Sequence, residues 1–113
     1  MGDFRKLNVW IKAKDLAVFV YLITNSGAIS KDFGLRDQMR RASVSMSGNI
    51  AEGDQLDSNL QSIRHFYIAR GSAAELHTQA IIAKEIGYLN ENEFQKIENE
   101  CNEISSMLTR LIQ

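Results

Sequence analysis

Between residues 94 and 111 the apolar positions Phe94, Ile97, Cys101, Ile104, Leu108 and Leu111 recur at alternating steps of three and four, with Gln, Lys, Glu, Asn and Ser between them. That spacing places all six on one stripe of a helix and predicts a helix over 91–112. Asn90 is placed to cap it and Glu93, three residues on, completes a capping-box spacing. Upstream, Ser58 and Gln61 repeat that spacing and open a long helix over 59–86. Its broad apolar face runs through Leu60, Ile63, Phe66, Tyr67, Ala74 and Ile81, widened by Ala69, Ala73, Leu76, Ala80 and Ala83. Gly87 suits its end, and the short turn to Asn90 makes these two helices neighbours running in opposite directions.

The first half of the chain is patterned differently. The run LAVFVYLI at 16–23 is apolar nearly all the way round, which periodicity alone leaves open to a strand. Lys12, Lys14 and Asp15 upstream, and a stripe through Ile11, Leu16, Val20 and Ile23, favour a helix over 9–24, closed by Asn25-Ser26-Gly27. A helix apolar on all sides needs cover on all sides, which four helices of one chain do not supply. The surplus predicts contact with another subunit. A second helix is expected over 32–52, with Leu35, Met39, Ala42, Met46 and Ile50 as its stripe and Gly53 as its stop. Its small residues Ser43, Ser45, Ser47, Gly48 and Ala51 invite close approach by the other small patch, Ala69 to Ala74, and the two are expected to face each other. Four helices joined by short connections make one all-α domain over 1–113, an antiparallel up-down four-helix bundle.

Composition narrows the function classes. The chain has 113 residues, 44% hydrophobic and 24% charged, with no proline and a formal charge of −1. One such chain makes one domain, and its near-neutral charge gives no global reason to expect nucleic acid or an anionic membrane as a partner. The longest apolar run falls short of the ~20 residues that span a bilayer. A lone Cys101 and the lack of a signal-peptide pattern at the start fit a reducing cytoplasm.

Candidate chemistry is sparse. His65 and His77 lie twelve residues apart on one helix, about 18 Å along its axis, and cannot share an ion within the chain. No Glu-x-x-His spacing of a carboxylate-bridged metal site occurs. Cys101 sits on the core stripe as a small hydrophobe. Ser43, Ser45 and Ser47 have no identifiable base, and they are expected to bond back to helix carbonyls or to pack closely. No enzyme, metal or cofactor is therefore expected. Arg36, Arg40, Arg41, Arg64 and Arg70 remain. They admit two readings: ion pairs, Arg41 with Asp37 or an arginine across to Glu52 or Glu75, or contacts to phosphate. Glu91, Glu93, Glu98, Glu100 and Glu103 make the last helix acidic outside, so the chain is polarised and its faces could mate head to tail.

Four stretches, LNVWIKA at 7–13, FGLRDQMRRASVSMSGNIAEG at 33–53, IARGSAAEL at 68–76 and GYL at 87–89, resemble the four-helix-bundle proteins of the 23S rRNA intervening-sequence type. The resemblance spans almost the whole chain. It implies a left-handed up-down bundle and, commonly, a homopentameric ring without enzymatic activity. A related group serves as accessory subunits of retroelement reverse transcriptases and binds nucleic acid. By position, the resemblance makes Gln38, Arg41, Ser45, Asn49, Glu52, Gly71, Ser72 and Glu75 the motif residues. It suggests a polar network between the second and third helices or between subunits, with Arg41 paired to Glu75 or Glu52. A nucleic-acid-binding version would use Arg36, Arg40, Arg64 and Arg70 on an oligomer face. Two departures stand out: the prolines usual before the second helix and near Ser47 are absent, and Asp54-Gln55-Leu56-Asp57 stands where relatives carry basic residues.

Overall fold

The structure is a computed structural model that describes residues 2–56 and 58–113; Met1 and Asp57, the latter counted above in the acidic stretch, lie outside the described residues. Four helices form: α1 (Asn8–Ile23), α2 (Phe33–Gln55), α3 (Asn59–Glu85) and α4 (Glu91–Ile112), with short 3₁₀ turns at Phe4–Lys6 and Ala28–Lys31. The molecule is an all-α rod, 43 × 21 × 19 Å. Each helix packs on the next and α4 closes on α1.

The ends follow the residues at them. Ser58 Oγ accepts from Gln61 N, and Asn90 and Glu93 exchange the two bonds of a capping box, 2.8 and 3.0 Å long. Asp32 caps α2 through Leu35 N at 3.1 Å and also accepts the Tyr88 hydroxyl at 3.1 Å, which ties the α1–α2 and α3–α4 turns together. That bond to Asp32 is the main reason the Tyr88 phenol is raised above its ordinary value. Gly27 and Gly87 carry the turns at φ of 76° and 88°, a region other residues avoid.

The core is built from Leu16, Val20, Met39, Met46, Ile50, Leu76, Ile97, Ile104 and Leu108, all fully buried. In α4, five of the six stripe residues are buried, but Leu111 is exposed in the last turn, where little remains to cover it. In α3 part of the expected face is corrected, while Phe66 and the five positions that widened it are buried as expected. Leu60, Tyr67, Ala74 and Ile81 point outward, and the buried stripe is Phe66, Ala69, Ala73, Leu76, Ala80 and Ala83. A stripe dominated by alanine lets α2 and α4 approach closely and leaves the bulkier isoleucines on the outside. Gly53 does not stop α2, which runs on to Gln55. A Cβ built on Gly53 would stand 2.6 Å from a ring carbon of Phe66, so this glycine lets α3 cross close to α2.

Candidate functional site

The motif residues of α2 and α3 meet along one seam. Ser45 and Asn49 lie one turn apart on α2, and Asn49 Nδ2 donates to the Ser45 carbonyl at 2.9 Å and to Ser45 Oγ at 3.1 Å. Ser72 of α3, which is buried, donates to the same Ser45 Oγ at 3.0 Å. At the other end of the amide, Asn49 Oδ1 stands 2.9 Å from His65 Nδ1, and Glu52 Oε2 lies 3.6 Å from that nitrogen. The links run down α2 while climbing α3, which sets the register of the pair.

The chemistry of this ladder follows from donors and acceptors. The Ser45 carbonyl can only accept, so it fixes the Asn49 amide with Nδ2 toward it. Asn49 Oδ1 can then only accept, and the proton on His65 sits at Nδ1. His65 therefore touches an amide rather than a hydroxyl, and an amide cannot pass a serine's proton to the ring. Ser43 and Ser47 bond back to the carbonyls of Arg40 and Val44 at 2.8 and 3.1 Å. Cys101 is buried, and its thiol is pushed up to about 12 by that burial. Its thiolate, the nucleophilic form, is suppressed at neutral pH. Among the described residues no cluster of three His, Cys, Asp or Glu could hold a metal ion. His77 turns the other way, to Glu98 of α4 at 2.8 Å.

Arg41 stands apart from the ladder. It is exposed, and with Phe33, Gly34, Asp37 and Gln38 it lines a shallow depression of about 370 Å³. Within the chain, the expected pairings of Arg41 do not form among the described residues. Asp37 is held by Arg36 at 2.9 Å and Glu52 leans toward His65. Glu52 is also eleven residues from Arg41 on the same helix, about 16 Å along the axis. Glu75, on the outer side of α3, makes no ion pair with Arg41 or any other cation among the described residues. Gly71 and Gly48 face outward, and a Cβ on either would meet nothing within 4 Å. A hydrogen bond joins the two small patches at Ser45 and Ser72.

The remaining arginines are mostly occupied within the chain. Arg36 donates to the Ser30 carbonyl at 3.0 Å, Arg40 to Thr24 Oγ1 at 2.9 Å and Arg70 to Thr109 Oγ1 at 3.0 Å. Each also lies over an aromatic ring, Phe33, Tyr21 and Tyr67 respectively, 4.6–4.8 Å from the centroid. Arg64 is exposed. The acidic face of α4 is likewise engaged: Glu91 with Lys84, Glu98 with His77, and Glu100 and Glu103 with Lys12. Sequence reasoning missed His65 and Thr24 as partners, since each depends on a contact sixteen residues away that only the register between helices reveals.

Known proteins place this arrangement. A crystal structure of a protein with unknown function from the S23 ribosomal protein family of Bacteroides thetaiotaomicron superposes with a TM-score of 0.85 at 25% identity, covering 93% of this chain and 98% of that one. No curated protein matches the chain. The family model described as 23S rRNA-intervening sequence protein matches residues 5–110, nearly the full length over which the four helices and the α2–α3 ladder extend. On that match, the chain belongs to the 23S rRNA-intervening sequence protein family.

Proposed function

We propose that this protein is a non-enzymatic, self-associating bundle that serves as an oligomeric scaffold or accessory subunit. Its assembly is a ring, with five copies the number implied by the resemblance in the motif residues. The observation that carries the reading is the outer surface of α1. Leu22 is 67% exposed, Val18 52% and Tyr21 44%, and Val44 of the neighbouring α2 is 48% exposed. Water-facing apolar groups grouped on one helix and its neighbour are a cost to a lone subunit and an interface for a partner. The polar ladder between α2 and α3 supports the same reading, because it offers a brace between helices and no nucleophile–base pair.

Nucleic-acid binding through Arg36, Arg40, Arg64 and Arg70 has less support. Three of the four are held by groups of their own chain, and the formal charge is −1. Phosphate contacts release counterions, so any affinity they carry falls steeply with salt.

Sedimentation velocity across a micromolar concentration series tests the proposal. The expected result is one discrete species several times the mass of the 12.8 kDa chain. A monomer throughout that range overturns it.

A further inference from the structure

We infer that copies of this chain join through two different faces, the outer face of α1 on one copy docking on the outer stripe of α3 on the next. The inference rests on the self-association proposed above and adds the identity of the two mating surfaces.

The first face is apolar with a basic fringe. Val18, Tyr21 and Leu22 are exposed on α1, and Arg40 lies over the Tyr21 ring. Neither Arg40, nor Arg41, nor the exposed Lys31 has a carboxylate within 4 Å among the described residues. The second face is apolar with an acidic fringe. Glu75, Ile82 and Glu85 follow one outward line of α3, with Ile81 and Ile86 beside it. Ile86 is 54% exposed and Ile82 46%. Glu75 and Glu85 have no cation within 4 Å among the described residues, whereas on α4 Glu91 pairs with Lys84, and Glu100 and Glu103 share Lys12. Among the described residues, carboxylates without a cation, Glu75 and Glu85, thus flank the isoleucines of α3, and cations without a carboxylate, Arg40 and Arg41, lie beside the apolar groups of α1 and Val44.

Charge decides how such faces meet. Pairing α1 with α1 would set cation against cation, and pairing α3 with α3 would set carboxylate against carboxylate; only the mixed pairing matches opposite charges. Height along the rod then decides what grows. Tyr21 and Arg40 are in contact, and the Ser45–Ser72 link carries Arg40 to the level of about residue 77, within the 75–86 stretch. Arg40 is thus level with Glu75, the isoleucines lying about 6–14 Å further along α3, and a head-to-tail contact between unlike faces closes into a ring where its rotation closes.

Two variants of the full chain test this. V18D/L22D disables the first face and I82K/I86K the second; all four positions are solvent-exposed, and far-ultraviolet circular dichroism checks that both fold. Each variant alone is expected to sediment as a monomer. An equimolar mixture is expected to give a dimer and nothing larger, because only one live face of each kind remains. If I82K/I86K alone keeps the wild-type assembly, or if the mixture stays monomeric while the wild type assembles, the pairing is wrong. A monomeric wild type instead removes self-association itself. Charge reversal gives an independent check: R41E and E75R/E85R should each weaken assembly at least tenfold, and all three changes in one chain should restore it. Loss without restoration overturns the pairing.

Discussion

His65 Nδ1 lies 2.9 Å from Asn49 Oδ1, and the same amide donates to the Ser45 carbonyl one turn away. Because that carbonyl fixes the amide's orientation, the neutral ring must carry its proton on Nδ1 and leave Nε2 bare. Long-range nitrogen–proton NMR spectra of His65 at pH 9 are expected to show the Nδ1–H tautomer. An Nε2–H pattern would mean that the ladder is not formed in solution.

Gly53 and Gly48 sit five residues apart on one helix and should respond oppositely to alanine. At Gly53 a Cβ would stand 2.6 and 2.9 Å from the Phe66 ring and 3.1 Å from the Ser62 carbonyl. The helix-propensity gain of about 1 kcal/mol is outweighed by overpacking of about 1–3 kcal/mol, and Gly53→Ala should lower the urea midpoint. Nothing stands near a Cβ at Gly48, so Gly48→Ala should raise it, by up to about 1 kcal/mol in stability. Both are measured at one protein concentration, since association adds to apparent stability. A loss at Gly48 would reveal a partner packed on its Cα.

Much of this was legible in the residues. The three-and-four spacing of α4 worked because one side of that helix is polar throughout, so the buried line has no competitor. In α3 two lines compete, one bulky and one of alanines, and residue size alone favours the wrong one. Burial went to the alanines because α3 is flanked by both α2 and α4, and small side chains let both approach. Ser45, Asn49 and Ser72 were found through the resemblance, but their partner His65 was weighed only as a metal ligand. The side of α3 that faces α2 is set by tertiary packing rather than by local spacing. Gly53 looked like a stop because glycine at a helix end and glycine at a helix crossing read alike until the crossing partner, Phe66, is known.

Thr24 and Arg40 form a pair whose two halves should not be separable. Thr24 is fully buried; its hydroxyl donates to the Val20 carbonyl at 2.7 Å and accepts from Arg40 Nε at 2.9 Å. Thr24→Val keeps the shape but leaves a half-buried guanidinium without its acceptor, at a cost of about 1–3 kcal/mol. Arg40→Met removes the donor and keeps the stem. Urea unfolding of both single variants and the double should give a coupling of about 0.5–3 kcal/mol. Strict additivity would show that the bond contributes nothing.

Cys101 predicts an alkaline weakness. Burial pushes its thiol up to about 12 in the folded chain, against an unfolded value of roughly 8.5. Between these values the unfolded state has lost the proton and the folded state still holds it, so stability falls as pH rises through that window, by at most about 1.4 kcal/mol per pH unit from this group. Below the window the thiol contributes no pH dependence. Cys101→Ala should show a shallower decline between pH 9 and 11 than the wild type, whatever its absolute stability. At pH 8 the native thiol should resist a disulfide reagent that reacts at once in urea; rapid native labelling would contradict its burial.

Gln79 is 8% exposed on α3, and its Oε1 has no hydrogen-bond partner. A buried carbonyl that has left water without replacement costs about 1–3 kcal/mol, and deleting it removes that cost. Methionine has nearly the length and flexibility of glutamine and carries no strong acceptor, so it fills the same space without the penalty. Gln79→Met should therefore raise the urea midpoint with an unchanged m-value, the sign of a gain in stability without a change in the surface exposed on unfolding. The comparison is informative in both directions. A gain of about 1 kcal/mol fits an orphaned acceptor inside a single subunit. A loss that grows with protein concentration would mean that assembly shifts the helices enough to give Oε1 a donor, and that Gln79 belongs with the groups that hold copies together.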